Sequence, residues 1–235
     1  MATERAAAGD AGRWFGPLAT PAVNALFDHL AHRIDPKSDL VFASTFELLV
    51  AVVLSAQATD RSVNAATAKL FPVANTPAAL AALGAEGILP FIRTVGLAPT
   101  KSRNVARLSQ LLIERHGGQV PRDRESLEAL PGVGRKTANV VLNVAFGEPT
   151  IAVDTHVHRV ANRTGLAKTT TPEQTERVLL VRVPPRHLLH AHHYLILHGR
   201  YTCLARKPEC WRCPLLKLCR FSAKTPRPPT ADPVG

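Results

Sequence analysis

Cysteine is absent from this 235-residue chain until Cys203, and all four cysteines, Cys203, Cys210, Cys213 and Cys219, then fall in one short window. That excludes a disulfide-framework miniprotein, and at roughly 100 to 200 residues per domain the length allows one or two domains with a core that needs no staples. Long apolar runs are missing too. The longest, Phe46 to Leu54, carries Glu47 and is about half the ~20 residues that a membrane-spanning helix needs. Residues 1–15 hold Glu4, Arg5, Asp10 and Arg13 with no apolar stretch among them, which argues against a secretory signal and for an intracellular protein. Alternating period-2 runs are nearly absent, and the one β-looking piece, Thr150 to Val153, is too short and isolated to support a sheet. Acidic residues are short: 18 Asp and Glu stand against 29 Lys and Arg, a formal charge of +11 and a pI near 10.2. This is the balance of a phosphate-backbone binder, shared with ribosome-associated and membrane-surface proteins.

What is present is helix punctuation. Hydrophobic residues at 46% and charged residues at 20% are near the globular average. Ser44 and Glu47 form a capping-box pattern ahead of Phe46 to Ala56, whose nearly all-round hydrophobicity predicts a buried central helix. Thr76-Pro77 and Thr171-Pro172 read as N-cap plus N1 proline, the second reinforced by Gln174. From Lys101 to His116, Val105, Leu108, Leu111 and Leu112 recur at helical spacing, and Gly117 supplies a stop. The fold class expected is all-α, with residues 1–12 and 222–235 as mobile tails.

The stretch Leu130-Pro131-Gly132-Val133-Gly134-Arg135-Lys136-Thr137-Ala138 is the most informative. A short helix should stop at Pro131 and a second begin near Arg135. Gly132 and Gly134 leave bare amides beside a helix N-terminus, where a phosphate can approach closely. This is a helix-hairpin-helix pattern. The second helix, from about Arg135 to Phe146, should rise about 18 Å. The extended residues from Gly147 to Val153 can span about 23 Å, enough to run back along it, so Asp154 can lie beside Lys136. Taken plainly, Lys136 is one more phosphate contact and Asp154 an N-cap for the helix that starts at Thr155.

The cysteines sit among Arg206, Lys207, Arg212, Lys217 and Arg220, with little apolar material to bury four free thiols, and a reducing cytosol disfavours two disulfides. Four thiolates around one metal centre is the better reading. Zinc usually takes two closely spaced pairs, and here there is one C-x2-C only.

With these motifs together, the chain resembles the endonuclease III family of base-excision DNA glycosylases. The resemblance rests on Leu54-Ser55-Ala56-Gln57-Ala58-Thr59-Asp60, the hairpin, Val153-Asp154-Thr155-His156, His198-Gly199-Arg200-Tyr201-Thr202-Cys203 and the spacing C-x6-C-x2-C-x5-C. It implies a two-domain all-α fold, with a six-helix barrel of 38–148 and a discontinuous cluster domain of 13–37 and 149–221. It implies one [4Fe-4S] cluster on the four cysteines. The implied partner is double-stranded DNA containing oxidised pyrimidines or abasic sites, bound by a monomer with no membrane involved, and the expected location is intracellular, the cytoplasm or nucleoid if the source is bacterial. Lys136 would attack the anomeric carbon, expel the damaged base and hold the sugar as a Schiff base until β-elimination, with Asp154 as its catalytic partner. DNA contacts are implied for Gln57, Leu97, Gly132, Val133, Gly134, Arg135, Thr137, His156 and Arg159. Gln57 is the expected plug for the gap left by an extruded nucleotide and Leu97 a second wedge.

The chain departs from the family pattern where Ala98 and Pro99 follow Gly96-Leu97 and where His158 stands, positions at which relatives commonly carry an aromatic residue. Two rivals have weight: a mismatch-adenine glycosylase of the same superfamily, which lacks the nucleophilic lysine, and a non-enzymatic DNA-binding module held by structural zinc.

Overall fold

The computed structural model describes residues 16–228, and among them regular structure is helical throughout, with no strand. The all-α fold expected from the sequence is the one found. Two compact units divide the chain: Pro36–Ala152 with Leu188–His190, and a unit of Met1–Asp35, Val153–His187 and Ala191–Gly235.

The first unit holds six helices, α2 (Thr45–Ser55), α3 (Asp60–Leu70), α4 (Pro77–Ile92), α5 (Ala98–His116), α6 (Arg124–Glu128) and α7 (Arg135–Phe146). Helix α2 is its axis, since every residue from Phe46 to Leu54 is buried and α3, α5 and α7 pack around it. Ser44 Oγ accepts the Glu47 amide at its start, while the Glu47 carboxylate accepts the Ala43 amide at 2.6 Å and Asn75 Nδ2 at 3.2 Å. The buried acid is thus satisfied one residue further back than a standard capping box would place it. Helix α4 is interrupted at Gly84, where φ is 65° and ψ 174°. Helix α5 begins three residues ahead of the apolar periodicity, because Pro99 pre-sets the first turn.

The segment after α7 stays with this unit beyond residue 148, for a reason in the side chains. Asn143 Nδ2 donates to the carbonyls of Glu148, Thr150 and Leu189, Asn139 Nδ2 donates to Ile151 O, and Thr150 Oγ1 donates to Asn139 O at 2.6 Å. The extended chain therefore runs back along α7 as a peptide strapped to two asparagines, and the same Asn143 draws in residues 188–190.

The second unit contains α1 (Thr20–Ala31), α8 (Thr155–Thr164), α9 (Pro172–Arg182) and α11 (Ala191–Tyr201), while the short α10 (Pro185–Leu188) ends at the junction. Helices α8 and α11 meet at Gly199, where a Cβ would stand 2.9 Å from His156 Cβ and 3.2 Å from Val160 Cγ2, so only glycine permits the approach. Helix α9 opens with a full capping box from Thr171 and Gln174. The tail expected at 1–12 lies outside the described residues, as does 229–235. Residues 222–228 lie against the cysteine loop: Thr225 Oγ1 bonds both Pro208 O and the Cys210 amide, and Arg227 stacks over the Trp211 ring at 5.7 Å.

Candidate active site and cysteine pocket

Helix α6 ends at Glu128 and the turn to α7 is closed by the Val133 amide, which donates to Leu130 O at 3.1 Å. Val133 is 6% exposed and belongs to the apolar core, so it anchors the turn rather than facing outward. Gly132 has φ +81°, and a Cβ there would meet Asn104 Nδ2 at 2.9 Å and Val53 Cγ1 at 3.2 Å. Both backbone and packing require glycine at that position. Gly134 is different. Its φ is −101°, and a Cβ there would meet nothing within 4 Å. Nothing inside the protein asks for glycine at 134, which leaves the outward face of the turn bare for an approaching anion. Arg135 and Lys136 follow as exposed residues of the first turn of α7, with Thr137 half-buried behind them.

In the other unit, Asp154 is the N-cap of α8: Oδ1 accepts the amides of His156 and Val157, each at 2.9 Å. The capping role read from the sequence is therefore real, and it engages one carboxylate oxygen. His156 Nδ1 lies 3.2 Å from Arg159 Nη2. The Arg159 guanidinium, expected at DNA, is committed inside the unit: Nε donates to Cys203 O at 3.1 Å and Nη2 to Gly199 O at 2.9 Å. Burial holds it below the usual arginine range. It is a strut between α8 and the cysteine loop. His158 bonds Thr175 Oγ1 through Nδ1 at 2.7 Å, and burial pushes it down, so it belongs to a polar network with Asn162, Thr169 and Thr175.

The four cysteines line one small pocket with His198, Leu215, Phe221, Thr164, Thr202 and Pro208. Among the described residues, no three His, Cys, Asp or Glu side chains form the close group that a metal ion would require. Burial pushes the Cys203, Cys213 and Cys219 thiols up, Cys213 to about 11. At Cys203 the Arg163 guanidinium counters this. Arg163 Nη1 lies 3.7 Å from Cys203 Sγ and donates to Leu204 O, while Nη2 donates to Ala205 O and the guanidinium lies over the Phe221 ring. His198 Nε2 lies 3.7 Å from Cys213 Sγ, and burial pushes this histidine down to about 4, so at neutral pH it is an uncharged neighbour. The donor set, soft sulfur in an apolar pocket with a cation at its edge, fits a thiolate-bound metal centre.

Gln57 and Leu97 lie in the first unit. Both are exposed, Leu97 to 58%, and both have left-handed backbones, φ 54° and 61°. Sequence reasoning missed a residue that bonds near both. Lys101, only 4% exposed, donates from Nζ to Leu54 O at 2.8 Å and Ala56 O at 2.5 Å. Burial lowers its pKa, yet with the amine enclosed and tied to two carbonyls it is no rival to the exposed Lys136 as a nucleophile. Its only sequence signal was a lysine among the apolar positions of a helix.

No helix among the described residues is long and apolar enough to cross a membrane. Residues 50–185 match the family described as HhH-GPD superfamily base excision DNA repair protein. Endonuclease III of Escherichia coli strain K12 is 59% identical over 189 residues, spanning 80% of this chain and 90% of that one. Endonuclease III of Treponema pallidum strain Nichols is 56% identical over 203 residues, 86% of this chain and 96% of that one. Among solved structures, a trapped endonuclease III–DNA covalent intermediate in an estranged-adenine complex matches with a TM-score of 0.82 at 45% identity, covering 86% of this chain and 96% of that one. A thermostable thymine-DNA glycosylase, at 23% identity and a TM-score of 0.76 over 86% of this chain and 97% of that one, shares the fold. The motifs, the helices and these likenesses agree, and the chain belongs to the endonuclease III family of HhH-GPD base excision DNA repair proteins.

Proposed function

We propose that this protein is a bifunctional DNA glycosylase and abasic-site lyase that removes oxidised pyrimidines from double-stranded DNA. The observation that carries the reading is an exposed lysine, Lys136, in the first helical turn after a glycine hairpin whose outward face is bare. The hairpin amides and Arg135 hold a phosphate, which brings the adjoining sugar to Lys136. Nζ, as the neutral amine, bonds to the anomeric carbon as the glycosidic bond breaks and its electron pair leaves with the base. The C1′–O4′ bond of the resulting aminal then breaks, with a proton going to O4′, to give the ring-opened Schiff base; this loses a C2′ proton as the C3′–O bond breaks and the 3′ phosphate leaves. An ordinary lysine is only about 0.04% neutral at pH 7, so transfer of the amine's proton to a local base accompanies attack. Asp154 supplies a carboxylate that stabilises positive charge on the sugar and assists that transfer. Gln57 and Leu97 fill the gap left by the extruded nucleotide, and Thr137 and His156 border the DNA. The protein acts as a monomer inside the cell, at the nucleoid.

Cys203, Cys210, Cys213 and Cys219 would hold one [4Fe-4S] cluster. The four thiols line one apolar pocket, an all-sulfur donor set of the kind that an iron–sulfur cluster would take. When bound, the cluster supplies structural cross-linking of the loop, whose exposed Arg206, Lys207, Lys217 and Arg220 offer positive charge to phosphate. The test is incubation with duplexes carrying a single oxidised pyrimidine, an abasic site or a mismatched adenine. Excision with strand cleavage on the first, strand cleavage alone on the second, and neither on the third are expected. Activity confined to the mismatched adenine would overturn the assignment.

A further inference from the structure

Among the described residues only three non-glycine residues have positive φ: Gln57, Leu97 and Lys207. Two of the three are the side chains assigned to the DNA stack, and strained backbone of this kind persists only where its surroundings hold it. Their surroundings converge on one residue. The Lys101 amide donates to Leu97 O at 3.0 Å, fixing the left-handed N-cap of α5, and its side chain reaches back to Leu54 O and Ala56 O on either side of the α2 terminus, one residue from Gln57. The two loops also touch directly, since a Cβ on Gly96 would stand 3.1 Å from Gln57 O. A buried ammonium is well placed here because the end of α2 presents carbonyls without helical partners and the negative end of the helix dipole.

We propose that Lys101 is a positioning residue that locks Gln57 and Leu97 into one pre-organised pair, so that both enter the duplex together when a nucleotide is extruded. This rests on the reading of Gln57 and Leu97 as the residues that fill the gap. Lys101 itself is too enclosed to touch DNA. Its amide holds Leu97 O at the start of α5 and its ammonium holds Leu54 O and Ala56 O, so one residue ties the segment leading into Gln57 to the helix that Leu97 caps. Pre-organisation of this kind shortens the search for the inserted state, and its loss should appear in extrusion and excision before it appears in simple DNA affinity.

The test uses the full-length protein and a duplex carrying a single oxidised pyrimidine, thymine glycol, beside 2-aminopurine, whose emission rises when its neighbour leaves the stack. Lys101→Met keeps the length of the side chain without the ammonium. It should lower the emission change and slow excision by about tenfold, the lower end of what a hydrogen bond to a charged group is worth. In a Gln57→Ala, Leu97→Ala background the same substitution should have no further effect on either readout. Leu108→Ala, a core truncation elsewhere in α5, controls for lost stability and should leave the emission change intact. If Lys101→Met does not fold, Gly96→Ala decides, because its Cβ pushes the loops apart with the core untouched and should give the same deficit in milder form. Unchanged extrusion in Lys101→Met, or an equal additional loss in the double-alanine background, overturns the inference. Unchanged extrusion in the double-alanine protein itself would instead show that Gln57 and Leu97 are not the inserted pair, and the inference falls with that reading.

Discussion

At the scale of single residues, Asp154 has two roles that can be separated. Its Oδ1 caps α8 through two amides, and loss of such a cap costs about 1 kcal/mol. Asparagine retains a carbonyl oxygen for those amides but carries no charge. Asp154→Asn should therefore melt within a few degrees of wild type and excise an oxidised base at least about a hundredfold more slowly, the scale of losing a positioned proton-transfer group. A rate loss no larger than the stability loss would make Asp154 a cap and nothing more. Arg159 has a role that the sequence did not show. The resemblance implied a DNA contact for it, and the structure adds a bracing role, with Nε donating to Cys203 O and Nη2 to Gly199 O. Those acceptors lie some forty residues ahead in the chain, where no local spacing could reveal them.

At the scale of elements, the hairpin makes a contrast that its two glycines can report. Gly132→Ala must adopt a positive φ and displace Asn104 or Val53, a cost of about 1–3 kcal/mol in unfolding free energy. Gly134→Ala meets no neighbour and should cost under about 1 kcal/mol, yet its methyl sits on the face offered to phosphate and should weaken DNA binding. Denaturant unfolding and a binding titration on both variants check this, and equal losses of affinity per unit of lost stability would contradict it. Elements built from neighbouring residues were legible in the sequence: the caps at Ser44, Thr76 and Thr171, the stop at Gly117 and the α7 limits follow from local chemistry. Elements that depend on distant partners were not. The strapping of residues 148–151 by Asn139 and Asn143, and the grip of Lys101 on the end of α2, require knowing which helices pack together. The break at Gly84 was likewise hidden, because a glycine within an apolar run carries no sign of its own φ.

At the scale of the whole molecule, the excess of positive charge and the cysteine pocket give independent expectations. Purified protein should be brown and contain about four iron atoms per chain, and a folded protein with far less iron would remove the cluster from the account. A charge of +11 should make DNA affinity fall steeply with salt, through release of phosphate counterions. That dependence also separates the two readings of Lys136. A lysine that only binds phosphate would, when replaced, lower affinity and flatten the salt slope by roughly one unit while chemistry survived. A nucleophile would do the reverse. The most direct measurement is borohydride trapping of Lys136→Gln on abasic DNA, with affinity and salt slope measured on the same preparation. Glutamine has a comparable reach and no amine, so the account predicts that wild type is trapped covalently and the variant is not, with affinity and slope nearly unchanged. Trapping of Lys136→Gln at wild-type efficiency would assign the nucleophile to another amine and contradict the account.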